Sequence, residues 1–200
     1  MKSCSKKNII EVGLDEVARG CMFGRVYTAA VIWPEDYIED PKFVIKDSKK
    51  LSKQRREELY YYIIDNALDW SVNYIESEEI DKINILQATL KSMHRNLDNL
   101  MIDVDHILVD GTNFNKYNNV PYTCIVSGDD KYYNIAAASI LAKVEHDWYI
   151  ENLCKNNPEL DEKYDLLNNM GYGTKKHMES IKKYGTTIYH RKSFGICKFY

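Results

Sequence analysis

The residues best suited to chemistry in this chain are carboxylates. Asp15 with Glu16, Asp110, and Asp129 with Asp130 each follow a short apolar or β-branched run, at or just past its C-terminal end. If those runs are parallel neighbouring strands, their ends share one edge, where open α/β sheets bind ligands. Carboxylates gathered there repel one another unless a cation neutralises them. Hard oxygen ligands suit Mg²⁺ or Mn²⁺, and two ions about 4 Å apart suit phosphodiester hydrolysis, one activating water and one stabilising the leaving oxygen. Asp129 also precedes a helical run whose N-terminal dipole favours its ionised form. Acids after strands are equally common as turn and N-cap residues, so the residue types alone leave both a metal site and a set of turn residues open.

Other chemistries find little support. The stretch GLDEVARGCMFG (13–24) departs from GxGxxG, with Arg19 where a dinucleotide loop needs a small residue. Ser139 and Ser193 lack a nucleophile elbow, and the five histidines form neither HExxH nor a triad order. His94 and His106 read as surface or strand-edge residues, and His177 and His190 as candidates for approaching phosphate. Tyr172, between Gly171 and Gly173, is placed on a tight turn. There it is either an ordinary turn tyrosine or a ring that stacks on a base or sugar.

The elements that must position these residues follow from pattern and caps. Residues 8–14, 26–33, 70–75, 107–109 and 122–126 read as strands. Ser52 caps a helix through Arg56, Leu59, Ile63 and Leu68, and a second helix covers 84–100 with Leu86, Leu90, Met93, Leu97 and Leu100 on one stripe. An alanine-rich helix covers about 132–153, and Thr174 caps a last helix that stops at Gly185. Early strands nearly back to back, then strands alternating with helices, predict an α/β fold with a mixed sheet.

Length and composition set the frame. Two hundred residues with 44% hydrophobic and 28% charged content make one globular domain, and no apolar run is long enough to span a bilayer. Five scattered cysteines without a CxxC pair argue against disulfides and zinc, and for a reducing, cytoplasmic setting. The net charge of −3 hides a segregation. Six basic residues (Lys46, Lys49, Lys50, Lys53, Arg55, Arg56) lie within 46–56 against Asp47 alone, and seven (Lys175, Lys176, Lys182, Lys183, Arg191, Lys192, Lys198) lie within 171–200 against Glu179 alone. Such a pattern sets a basic face beside an acidic pocket, or is two solvated helix faces.

Six stretches taken together resemble ribonuclease HII, the type 2 ribonuclease H family: VGLDEVARGCMFGRV (12–26), DSKKLSKQRREELY (47–60), EIDKINILQATLKSM (79–93), ILVDG (107–111), SGDDKYYNIAAASILAKVEHD (127–147) and GYGTKKHMESIKKYGTTIYHRKSFG (171–195). The resemblance implies a ribonuclease H-like fold, a mixed central sheet flanked by helices. It implies one catalytic domain over 1–200, in which about 160–200 forms a small helical substrate-binding portion. It implies an endoribonuclease that hydrolyses the RNA strand of RNA–DNA hybrids and cuts 5′ of single ribonucleotides in duplex DNA, leaving 5′-phosphate and 3′-hydroxyl ends. Asp15, Glu16, Asp110 and Asp129 are then the catalytic carboxylates, holding two Mg²⁺ or Mn²⁺ ions. The family's Gly-Arg-Gly loop, whose backbone reads the 2′-OH, falls on Ala18, Arg19 and Gly20, and its stacking tyrosine on Tyr172. Ser48, Lys49 and Lys143 fall on positions similar to phosphate-contacting or site-lining residues. The expected partners are hybrids and ribonucleotide-containing duplex DNA, with no membrane, no small-molecule cofactor and a monomeric state. The alternatives are a catalytically weak hybrid-binding module and another nuclease on the same fold.

The chain departs from that family at several positions. Ala18 replaces the first glycine of the loop, and a Cβ there is costly if φ is positive. Cys21 replaces a proline, Asp130 a small residue, and Asn169-Met170 a common His-Lys pair. These changes touch substrate reading more than metal binding.

Overall fold

The computed structural model describes residues 1–3, 5–45, 48 and 51–200. Its centre is a five-stranded sheet built from β1 (Glu11–Val17), β2 (Val26–Ile32), β3 (Asp69–Ile75), β4 (His106–Asp110) and β5 (Tyr122–Ile125). The order across the sheet is β3-β2-β1-β4-β5, with β1 antiparallel to β2, β2 antiparallel to β3, and β1, β4 and β5 mutually parallel. The three strands followed by acids are therefore parallel neighbours, as the shared-edge argument required. One boundary differs: the first strand runs past the acids, because antiparallel pairing continues through Glu16–Thr28 and Val17–Tyr27. Asp15 and Glu16 thus sit inside β1 and inherit its rigidity.

Helices cover both faces. α1 (Lys53–Asn66) is capped by the Ser52 hydroxyl, which accepts from the Arg55 N–H. Two helices succeed β3: α2 (Ser77–Ile83) and α3 (Ile85–Asn99), the latter capped by Asn84. The long α4 (Tyr133–Asn156) is buried on almost every side over residues 133–142, as expected of a helix laid on a sheet and covered in turn by α1. The period of two along β1 divides the core. Val12 and Leu14 join Leu90, Met93 and Leu97 of α3 with Ile107 and Val109 of β4. The opposite face of the sheet packs Ala29 and Val31 of β2 against Ala136, Ala137, Ile140 and Leu141 of α4.

α4 comes unusually close to the sheet. A Cβ built on Gly13 would lie 2.4 Å from the Asn134 carbonyl carbon and 2.5 Å from the Ile135 nitrogen, so only glycine fits there. Beyond α4 the chain makes α5 (Pro158–Tyr164), α6 (Leu166–Asn169) and α7 (Lys175–Tyr184), capped by Thr174 and ended at Gly185. These helices carry a small apolar cluster of Leu160, Tyr164, Leu166 and Ile181, which packs on Phe23, Ile150 and Cys154. Among the described residues, no helix is long and apolar enough to cross a membrane.

Candidate active site

The sheet register brings the acids together. Leu14 of β1 pairs with Val109 of β4, which carries Asp15 to the side of Asp110 on the face toward α4. Asp15 is 5% exposed. Burial, then the charges of Glu16 and Asp110, hold its carboxyl well above the usual range, while a hydrogen bond from Ser139 of α4 and one from the Glu16 N–H (2.7 Å) pull the other way. Asp110 accepts the Gly128 N–H at 2.7 Å, which ties the end of β4 to the 3₁₀ turn Gly128–Asp130 ahead of α4. That turn holds Asp129 buried and leaves Asp130 exposed. Glu16 is half-buried and paired with the Arg19 guanidinium at 3.1 Å.

Three elements therefore deliver carboxylates to one edge. Among the described residues, no three His, Cys, Asp or Glu side chains close on a common point. What fits a hard cation is the donor set, all oxygen, together with a carboxylate whose ionisation burial and two neighbouring acids oppose.

Ser139, read in the sequence only as a nucleophile and set aside, is one small residue in the run AAASILA. Its hydroxyl lies 3.0 Å from that of Ser48, so a buried Ser48–Ser139 pair backs Asp15. Lys143, one turn further along α4, is mostly buried and places its ammonium 2.6 Å from Asp147, which Arg56 (3.3 Å) and His146 (3.1 Å) also contact. Burial opposes ionisation of Asp147, but hydrogen bonds from His146 and Lys143 hold its carboxyl below the usual value. Lys49 lies outside the described residues.

Ala18, Arg19 and Gly20 leave β1 as a tight loop with the Cys21 N–H bonded to the Ala18 carbonyl at 3.2 Å. Ala18 has φ +66°, the left-handed conformation that glycine would take without cost. The loop is held from the far end of the chain. Arg191, fully buried, donates to the carbonyls of Ala18 (2.8 Å), Arg19 (3.1 Å), Gly24 (2.8 Å) and Arg25 (2.8 Å). Burial pushes its guanidinium down to about 10, still protonated at neutral pH. In the sequence Arg191 reads as one more member of a basic run, and only the tertiary structure shows it turned inward.

Tyr172 stands beside this loop. A Cβ built on Gly20 would be 4.0 Å from its ring, and the residue is 39% exposed. Gly171 has φ +81°, and a Cβ there would come within 2.8 Å of the Phe23 carbonyl oxygen, so the turn requires glycine. The Asn169 side chain accepts the Gly171 N–H at 2.8 Å and donates to the Tyr164 carbonyl at 2.7 Å, so this departure from the family pattern shapes the turn. His177 and His190, expected at phosphate, are instead buried beneath Tyr172. His106, expected at a surface or strand edge, is buried in β4 and bonded to Glu11 at 2.7 Å.

Comparisons with known proteins agree with one another. A family model described as Ribonuclease HII matches residues 12–197. The chain is 46% identical over 190 residues to a Ribonuclease HII of Bacteroides thetaiotaomicron, covering 95% of this chain and 92% of that protein. Its fold matches the ribonuclease H2 of Pyrococcus horikoshii with a TM-score of 0.76 at 26% identity, covering 94% of this chain and 95% of that one. It also matches an RNase HIII solved in complex with Mn²⁺, with a TM-score of 0.69 at 16% identity, covering 95% of this chain and 68% of that one.

Proposed function

The chain belongs to the ribonuclease HII family, and from that premise we propose that it cuts RNA–DNA hybrids in their RNA strand and duplex DNA on the 5′ side of single embedded ribonucleotides. As a member it is a hydrolase of ribonuclease H type. The products are 5′-phosphate and 3′-hydroxyl ends. The observation that carries the site assignment is Asp15, buried beside Glu16 and Asp110 with its carboxyl held above the usual range. Such a cluster is costly unless a cation neutralises it in use.

Asp15, Glu16, Asp110 and Asp129 would hold two divalent ions, Mg²⁺ or Mn²⁺, which when bound supply an activated water and a counter-charge for the leaving oxygen. Around them, Ser139 keeps Asp15 oriented, and the Gly128 N–H does the same for Asp110. The exposed Arg19 side chain offsets phosphate charge, and the backbone of residues 18–20 reads the 2′-OH. Tyr172 stacks on the nucleotide so read. Lys143, with its ammonium on Asp147, and Ser48, behind Ser139, line the site from α4 outward. The family resemblance assigns Lys49 a phosphate contact as well. Residues from about 160 to 200 form the substrate-binding portion of one catalytic domain, acting as a monomer on nucleic acid in the cytoplasm.

The test is a side-by-side cleavage assay in Mg²⁺ and in Mn²⁺. Its substrates are a DNA duplex with one ribonucleotide, a continuous RNA–DNA hybrid and plain duplex DNA, with Asp110→Asn as control. Cutting 5′ of the lone ribonucleotide and within the hybrid, lost in the variant, is expected. Metal-dependent cutting of plain DNA, or hybrid binding without cutting by the wild type, would overturn the reading.

A further inference from the structure

Two buried histidines in the C-terminal portion take no part in the carboxylate site, yet they form an unbroken chain to the backbone of Tyr172. The Thr187 N–H points at His190 Nδ1 at 3.0 Å. A backbone N–H only donates, so that nitrogen accepts and the ring proton of His190 sits on Nε2. His190 Nε2 lies 3.2 Å from His177 Nε2, which must therefore accept in turn. This leaves the proton of His177 on Nδ1, placed 2.9 Å from the Tyr172 carbonyl oxygen. With the Thr187 hydroxyl (2.9 Å) also donating to His190 Nδ1, one assignment satisfies these contacts: Thr187 N–H and O–H to His190, His190 Nε2–H to His177, and His177 Nδ1–H to Tyr172.

The surroundings hold both rings in place. His190 stands edge-on to Phe23 (centroids 5.0 Å) and to Tyr164 (4.8 Å), and Tyr164 also meets His177 at 6.0 Å. The Tyr172 carbonyl receives a second bond from the Thr174 N–H (2.9 Å), and its own N–H goes to the Asn169 carbonyl (2.9 Å). The backbone of Tyr172 is thus fixed from below, while its half-exposed side chain meets the loop through hydroxyl contacts to the Ala18 backbone and the Cys21 side chain. A turn flanked by two glycines has little stiffness of its own, so its orientation depends on these outside bonds.

We propose that His177 and His190 are positioning residues: they form a neutral strut that sets the pitch of the Tyr172 ring, and with it the preference for a single embedded ribonucleotide over a continuous hybrid. The proposal rests on the functional reading given above. In a duplex with one ribonucleotide the ring must hold one particular nucleotide against the 18–20 loop. In a continuous hybrid the neighbouring registers offer equivalent 2′-OH groups, and a loosened ring costs less.

The strut is tested by two variants and one spectrum. His177→Phe keeps an aromatic ring but removes the donor to Tyr172, whereas His177→Asn retains an N–H donor near the position of Nδ1. Loss of one buried hydrogen bond corresponds to roughly five- to tenfold. His177→Phe is therefore expected to lower kcat/KM on the embedded-ribonucleotide duplex about five- to tenfold relative to the hybrid, and His177→Asn to return the ratio to within about twofold of the wild type. Nitrogen–proton NMR of the labelled wild type should find the proton of His177 on Nδ1 and that of His190 on Nε2, a readout that survives if a variant fails to fold. The opposite tautomers, or a His177→Phe protein that folds and keeps the wild-type ratio, would overturn the strut. A wild type that cuts neither substrate overturns the functional reading instead, and the NMR result still decides the strut's geometry.

Discussion

Gly13→Ala is the most demanding test of how the carboxylates are positioned. The added methyl would stand 2.4 Å from the Asn134 carbonyl carbon and 2.5 Å from the Ile135 nitrogen. Carbon atoms in contact settle about 3.5 Å apart or more, so the shortfall is about 1 Å. Both obstructing atoms are backbone of α4, and no side chain can swing away to make room. Either α4 rises from the sheet or β1 bows, and the contacts of Ala136, Ala137, Ile140 and Leu141 with the sheet loosen together. Overpacking ordinarily costs about 1–3 kcal/mol, and a clash of backbone with backbone belongs at the upper end, about 3 kcal/mol or more. Asp15 lies two residues along the same strand and Asp129 on the turn that leads into α4, so the two would be displaced relative to each other. A misplacement of about 1 Å is enough for about a hundredfold loss of rate.

Urea unfolding followed by single-turnover cleavage in Mg²⁺ measures both effects. Gly111→Ala is the control. It follows Asp110 directly and has φ +93°, but no atom lies within 4 Å of its added methyl, so it carries only conformational strain of about 1–2 kcal/mol. A Gly13→Ala protein that loses less than about 1 kcal/mol and cleaves within threefold of the wild type would refute the close β1–α4 contact on which this account of the site depends.

Three further outcomes are expected. For Ala18→Gly, relief of left-handed strain (about 1–2 kcal/mol) is offset by unfolded-chain entropy (about 0.4–1) and a lost buried methyl (about 0.8). Stability in urea should then change by less than about 1 kcal/mol, and a gain above about 2 would contradict the offset. Arg191→Lys replaces a fork that reaches four carbonyls by a single ammonium, and should cost at least about 3 kcal/mol by the same measurement, a loss below about 1 counting against the clamp. Burial lowers His190 to about 3, so the unfolded chain binds its proton more readily below pH 6.5 and stability falls as the pH drops through that window. Between pH 7 and pH 5 this one group contributes a loss of about 2 kcal/mol, and His190→Gln should lose that much less over the same interval, equal losses refuting it.

The acidic edge was legible in the sequence because its signals are local. Three apolar runs end in acids, and Ser52, Thr174 and Gly185 mark helix ends by capping chemistry that needs no knowledge of the fold. The helix Ser77–Ile83 was missed since SEEIDKI is too short to display a period, and the two short helices between Pro158 and Asn169 for the same reason. The inward turn of Arg191 and the burial of His177, His190 and Ser139 were illegible on different grounds. Arg191 bonds carbonyls about 170 residues away and Ser139 bonds Ser48, 91 residues away, and no spacing rule encodes either; His177 and His190 bond within residues 172–190, but His190 packs on Phe23 from the far end of the chain.

The two kinds of residue also divide the labour of the site. Asp15, Glu16 and Asp110 are carried by paired strands, and Asp129 by a turn bonded to one of them, so their geometry is that of the sheet and α4. The loop over residues 18–25 has a different origin. Its Met22 N–H bonds the Gly171 carbonyl, its Gly24 N–H the Tyr189 carbonyl, and the Met22 carbonyl accepts the Arg191 N–H. The loop therefore takes its shape from the last thirty residues, which also present Tyr172. Under the proposed function, changes that disturb the sheet edge should lower cutting of hybrid and of embedded ribonucleotide alike, because both reactions would use the same carboxylates. On the same proposal, changes in the C-terminal clasp should alter their ratio, because only the recognition of a lone 2′-OH would depend on how loop and ring face each other. A chain with Ala18 in a left-handed turn would keep the proposed chemistry for that reason: the strain is borne by the loop proposed to read the substrate, and the carboxylates proposed to cut it are held elsewhere.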